Sequence, residues 1–96
     1  MSSTYNRYTI RTSLFKGTQI KVEVNDNYWD WSDYVFIPVG GGAFHSYSTE
    51  AAQRVSLAFK GLEAQLPNLE APAVYRIECD DVWGKNPRLI RREKRS

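Results

Sequence analysis

The sequence predicts an α+β fold, a mostly antiparallel sheet of four to six strands with one helix packed on a face. Three observations carry that expectation. Two runs near the N-terminus alternate apolar and polar residues with a period of two, and a third does so near residue 75. A single stretch, residues 48 to 67, repeats its apolar residues at three- and four-residue steps. The chain is 96 residues long, enough for one domain with one modest core.

"YTIRTSLF" sets Tyr8, Ile10, Thr12 and Leu14 on one side and Arg7, Thr9, Arg11 and Ser13 on the other. "QIKVEV" does the same with Ile20, Val22 and Val24 against Lys21 and Glu23. Between them "KGT" contains Gly17, which accepts a positive φ, so the two runs read as a β-hairpin. "YVFIPV", residues 34 to 39, is apolar on both faces. It suits a sheet centre or a strand covered on both sides, and equally a symmetric dimer. Pro38 cannot donate a ladder hydrogen bond, so one side of that strand is expected to be unpaired there. "GGG" at 40 to 42 reads as a hairpin turn, with "AFHSY" returning as a short strand.

"STEAAQRVSLAFKGLEAQLP" reads as the helix. Ser48 or Thr49 caps it, Glu50 complements its dipole, and Pro67 ends it. Ala51, Val55, Ala58, Phe59, Leu62 and Leu66 form the apolar stripe, with Gly61 weakening the last turns. "AVYRIEC" is a further strand, with Tyr75, Ile77 and Cys79 on its apolar face. "DDVWGKNP" is a turn, and "RLIRR" is a candidate final short strand.

Charge divides the chain. Residues 85 to 96 carry six basic groups and one acidic, a local charge of +5, against −3 for residues 1 to 84. The expected organisation is one α+β domain over 1–84 and a basic C-terminal tail over 85–96. One cysteine rules out an internal disulfide and fits a reducing compartment. The N-terminus has no apolar signal-peptide core, and no apolar run approaches the roughly eighteen residues of a membrane span. The expectation is a cytoplasmic protein with no membrane partner.

Catalytic and metal chemistry find little support. The glycines after "YVFIPV" lack the lysine and hydroxyl of a phosphate-binding loop and do not open a helix directly. His45 and Cys79 are each the only residue of their kind, and no spacing brings them together. Zinc wants about four nitrogen or sulfur ligands, and these two are all there are. No catalytic residue, metal or cofactor is expected.

Two surfaces remain. "NDNYWDWSDYVF", residues 25 to 36, holds three aspartates and five aromatic residues. If the stretch is extended, Trp29, Trp31 and Asp33 share one side and Tyr28, Asp30 and Tyr34 the other. The rings then either pack into a small core or offer a protein-binding surface. A third alternative is a platform for sugars or bases, with nucleic acid the weaker half because the flanking carboxylates disfavour phosphates; acid interleaved with aromatics also imitates a nucleic-acid strand, a surface able to block the channel of a nucleic-acid-handling enzyme. As a protein-binding site the stretch comprises Asp26, Tyr28, Trp29, Asp30, Trp31, Asp33 and Tyr34, with the carboxylates choosing a basic partner patch. The second surface is the tail. Lys85, Arg88, Arg91, Arg92, Lys94 and Arg95 attract phosphates, and Trp83 stands ready to stack on an unpaired base. The alternative for the tail is a solubilising terminus.

The hairpin "YTIRTSLFKGTQIKVEV", followed by "FHSYSTEAAQRVSLAFKGLEAQLP" and "VYRIECDD", resembles small phage-encoded inhibitors of the anti-CRISPR type in size and layout. The resemblance carries no diagnostic motif, and no functional residue transfers from it. It implies a non-enzymatic module that occludes a protein partner, a component of a host nucleic-acid-handling complex. The basic tail departs from the strongly acidic members of that group, which argues against simple DNA mimicry. The alternative is a nucleic-acid-binding accessory protein that uses the tail.

Overall fold

In the computed structural model, which describes residues 4–39 and 44–92, five antiparallel strands form one sheet in the order β3-β2-β1-β4-β5. One main helix packs on a face, so the fold is α+β. The strands are β1 (Tyr5–Phe15), β2 (Gln19–Asp26), β3 (Ser32–Pro38), β4 (Ala73–Cys79) and β5 (Arg88–Arg91). Helix α1 (Thr49–Ala58) and a 3-10 turn over Glu63–Asn68 connect β3 to β4.

The hairpin forms as its alternation requires. β1 and β2 pair from Phe15↔Gln19 to Tyr8↔Asp26 across a turn in which Lys16 and Gly17 both take positive φ. That register brings Tyr8, Ile10 and Thr12 onto one face with Ile20, Val22 and Val24, all buried. Leu14 shares their parity but lies past the end of the helical layer and is exposed. β4 adds Ala73, Tyr75, Ile77 and Cys79 to the buried face. Val55, Ala58, Phe59 and Leu62 cover it from α1 and its C-terminal turn.

Two boundaries differ from the sequence expectation. The helix does not run to Pro67. Ser48 caps it by accepting from the Ala51 amide, but it ends at Phe59 because Gly61 turns the chain with φ +84°. Leu62 and Leu66 stay buried because the following 3-10 turn, which contains Pro67, keeps the apolar side inward. β3 begins at Ser32, so residues 28 to 31 are a loop and not a strand.

β3 is an edge strand rather than the sheet centre, and its two apolar faces are both covered. Val35 and Ile37 point toward the helix. Phe36 is buried on the opposite face among Phe15, Tyr34 and Tyr47. The expected return strand is reduced to a single bridge in which Phe36 and His45 exchange backbone hydrogen bonds of 2.7 Å. The glycines at 40 to 42 lie outside the described residues.

Residues 88 to 91 pair with β4 over Glu78↔Arg88 to Tyr75↔Arg91, and Leu89 packs against the core. This part of the basic segment is therefore an edge of the sheet. Among the described residues, no helix is long and apolar enough to cross a membrane.

Phe59 is fully buried where the helix meets the sheet. Truncating it in Phe59→Ala is expected to cost about 3–5 kcal/mol, a large share of a small domain's stability. Urea denaturation measures the loss.

Candidate functional site

The loop between β2 and β3 is shaped by Asp26. Its side chain is withdrawn from water, 4% exposed. Its Oδ1 accepts hydrogen bonds from the amides of Tyr28 (2.6 Å) and Trp29 (2.7 Å), an Asx turn. The Asp26 amide donates to the Trp31 carbonyl at 2.9 Å and closes the loop. Asp30 takes φ +54°, which an aspartate tolerates better than most residues.

This loop separates the two tryptophans that an extended chain would have set side by side. Trp29 projects into solvent, 76% exposed. Trp31 turns inward against the core, its ring 5.9 Å from that of Tyr8 and 5.3 Å from the Arg54 guanidinium. Asp33 faces Arg54 at 3.3 Å, and Arg54 also holds Glu50. Tyr34 lies on the opposite sheet face with Phe36, Tyr47 and Lys21. The seven residues proposed as one site are thus distributed. Tyr28, Trp29 and Asp30 stay at the surface loop, Asp26 and Trp31 turn inward, and Asp33 and Tyr34 serve other contacts. The acid–aromatic interleaving is not displayed as a continuous strip, because Asp26 is consumed as a turn cap and Asp33 as an ion-pair partner.

The loop between β4 and β5 folds by the same device. Asp81 Oδ1 accepts from the amides of Trp83 (3.0 Å) and Lys85 (2.9 Å). The Asp80 amide donates to the Lys85 carbonyl at 2.9 Å. Asp80 itself pairs with Arg88 at 2.9 Å, and the Arg88 and Asn86 hydrogen bonds hold its carboxyl below the ordinary range. Trp83, at the tip, is 84% exposed.

The two loops meet. Tyr28, Trp29, Val82, Trp83 and Arg7 line one cleft of about 500 Å³. Arg7 stands between the loops because β1 bulges between Asn6 and Tyr8 as it pairs with β4. Its carbonyl accepts from the Asn27 amide (3.2 Å), and its Nη1 donates to the Val82 carbonyl (2.6 Å). Gly84, beside that guanidinium, takes φ +89°, the left-handed region that favours glycine.

Beyond Arg7 and Trp83 a second cleft, about 360 Å³, runs between the helix end and the sheet. Leu57, Lys60, Gly61 and Pro87 form its walls, and Tyr8, Ile77 and Cys79 contribute to its lining. Among the described residues, no carboxylate lines either cleft. Burial pushes both the Cys79 thiol and the Tyr8 phenol up, so both are neutral at physiological pH.

Sequence reasoning placed Trp29 and Trp83 in different surfaces, and the fold sets them at one cleft. It missed Arg7, Val82, Leu57 and Lys60. A bulge has no one-dimensional signature, and each of the other three looks like an ordinary surface residue. Of the tail residues, Arg88 pairs with Asp80 and Arg91 with Glu70. Lys85 and Arg92 are exposed, and Lys94 and Arg95 lie outside the described residues. His45 bridges to the outer edge of β3, so β3, β2 and β1 lie between it and Cys79 on β4. Four strand spacings put them roughly 19 Å apart, beyond hydrogen-bond reach. Among the described residues, no three of His, Cys, Asp or Glu come together as metal ligands.

Compared with known proteins, the chain matches no protein-family model, no curated protein and no solved structure.

Asp26→Ala leaves the Tyr28 and Trp29 amides without their acceptor. A loss of about 1–3 kcal/mol is expected, and hydrogen exchange at those two amides should accelerate more than at the β1–β2 ladder. A second expectation concerns alkaline pH. The folded Cys79 thiol titrates above its unfolded counterpart, so its contribution is intact below roughly pH 8.5 and is lost as pH rises through the folded value. Tyr8 adds a further loss above roughly pH 10. Urea-unfolding free energies plotted against pH should fall less steeply on the alkaline side for Cys79→Ala than for the unaltered chain.

Proposed function

We propose that this chain is a non-enzymatic binding module that occludes a protein partner. One observation supports this best. Trp29 and Trp83, on two separate loops, both stand mostly in solvent at a common cleft with Tyr28, Val82 and Arg7. Exposed indoles of this size oppose solubility unless something covers them. Trp, Tyr and Arg are also the residue types that dominate binding energy at protein interfaces. The aliphatic walls, Val82 in one cleft and Leu57 in the next, suit side chains of a protein better than stacked bases. In the finer form of the proposal, which rests on the resemblance in size and layout, the partner belongs to a nucleic-acid-handling complex and binding inhibits it.

A second reading, nucleic-acid binding by the basic segment, draws on the exposure of Trp83 next to Lys85. It is weakened because Arg88 and Arg91 spend their charge on Asp80 and Glu70.

The test compares the tagged chain with its Trp29→Ala/Trp83→Ala variant in quantitative pull-downs from candidate host lysates. The variant should fold, since both indoles are exposed. A partner retained by the first should bind the second at least ~100-fold more weakly, given about 2 kcal/mol or more per hot-spot residue. A partner retained equally by both would remove the cleft from the proposal. Fluorescence anisotropy with single- and double-stranded DNA and RNA at two salt concentrations tests the second reading. Binding that falls steeply with salt and weakens in Lys85→Gln/Arg92→Gln would put nucleic acid first.

A further inference from the structure

The charge pattern around the groove names the kind of segment that fits it. The carboxylates nearest the two loops are occupied by the chain's own groups: Asp26 and Asp81 by backbone amides, Asp80 by Arg88. Asp30 is the exposed exception and lines neither cleft. Among the described residues, the clefts contain two cations, Arg7 and Lys60, and no anion.

Arg7 is the more informative of the two. It is half-buried at the wall shared by both clefts, and among the described residues no carboxylate pairs with it. Its Val82 hydrogen bond engages one Nη, and its face lies 5.3 Å from the Tyr8 ring centroid. A guanidinium carries five N–H donors in a rigid fork that matches a carboxylate, so its contacts with the Val82 carbonyl and the Tyr8 hydroxyl do not exhaust its hydrogen-bonding capacity. Partly withdrawn from water and held in place by its bulge, it is preorganised for an anion that the chain itself does not supply.

On one side of Arg7 lie Tyr28, Trp29, Val82 and Trp83, and on the other Leu57, Gly61 and Pro87. Both clefts are of a size that takes large side chains. We infer that the groove receives an acidic–apolar segment of the partner protein, in which an Asp or Glu is flanked on both sides by large apolar residues. The carboxylate pairs with Arg7, assisted by Lys60, and the apolar side chains fill the two clefts. This inference rests on the protein-docking proposal and sharpens it. It also reverses the charge expected of the partner, since two of the three aspartates that would have selected a basic patch, Asp26 and Asp33, are turned to internal use and exposed Asp30 lines neither cleft. A nucleic-acid strand fits less well, because the two cations are set among aliphatic walls and make no continuous track for phosphates.

The test uses the full chain and a displayed library of random twelve-residue peptides. Peptides are selected on the unaltered chain and counter-selected on Trp29→Ala/Trp83→Ala. The expected survivors carry an Asp or Glu with large apolar residues on both sides. Replacing that acid by its amide in a synthetic peptide should weaken binding about tenfold or more, with the protein untouched. Lys60→Gln, which leaves the Arg7–Val82 tie intact, should weaken the acid peptide more than its amide counterpart, and Arg7→Gln should nearly abolish the difference. Groove-dependent peptides that lack acid, or that are enriched in Lys and Arg, would overturn the inference while leaving protein docking in place. The absence of any groove-dependent peptide would overturn it too, with docking then judged by the pull-down alone. A single-stranded oligonucleotide that displaces the acid peptides at lower concentration than any of them binds would overturn it in favour of nucleic acid.

Discussion

Arg7 is the tie on which the functional end of the molecule depends. Its backbone carbonyl holds the β2–β3 loop through the Asn27 amide, and its side chain holds the β4–β5 loop through the Val82 carbonyl. Both bonds come from one residue at one bulge, so the two loops share a reference point in the central strand. A regular ladder would have aimed this side chain by strict alternation. The extra residue re-aims it into the gap between loops, and the clefts on either side exist because that gap is spanned rather than closed. Gly84 adjoins the same guanidinium and turns the second loop with its positive φ.

Charge in this chain is spent locally before it is shown outwardly. Apart from exposed Asp30, the aspartates of both loops act as backbone acceptors or as partners of nearby arginines. The net charge of residues 1 to 84 therefore misstates the surface a partner meets. Carboxylates used as turn caps still contribute to long-range potential, but they cannot offer hydrogen bonds to a ligand without opening the loop. The same economy reduces the basic segment. Two of its arginines lie in an edge strand with acidic partners, so its reach toward phosphates is less than its composition implies.

Periodicity made much of the fold legible. Val22, Val24, Ile77 and Cys79 are buried where alternation places them, and Ser48 caps the helix. What could not be read follows from chemistry that outranks pattern. Gly61 ended the helix eight residues before Pro67 because a left-handed glycine stops a helix as surely as a proline does. The apolar stripe beyond it was right about burial and wrong about helix type, since a 3-10 turn keeps similar residues inward. At the candidate site the failure was one of dimension. An extended chain would set Trp29 and Trp31 on one side, while Asp26 folds it so that one ring enters the core. Trp83 met Trp29 across more than fifty residues of sequence, a proximity that only the strand order creates.

The strand order has a further consequence, for how the molecule comes to exist. β1 lies in the middle of the sheet, with β2 on one flank and β4 on the other. Its first neighbour follows within a few residues, whereas the register on its second flank joins Tyr8 to Ile77. A nascent chain leaving the ribosome can close the hairpin at once, but one backbone edge of β1 stays bare until β4 has been synthesised. That interval, a few seconds at ordinary elongation rates of about 5–20 residues per second, is when the chain is most open to mispairing with another copy or to capture by a chaperone. The sheet is thus sealed late and at its centre.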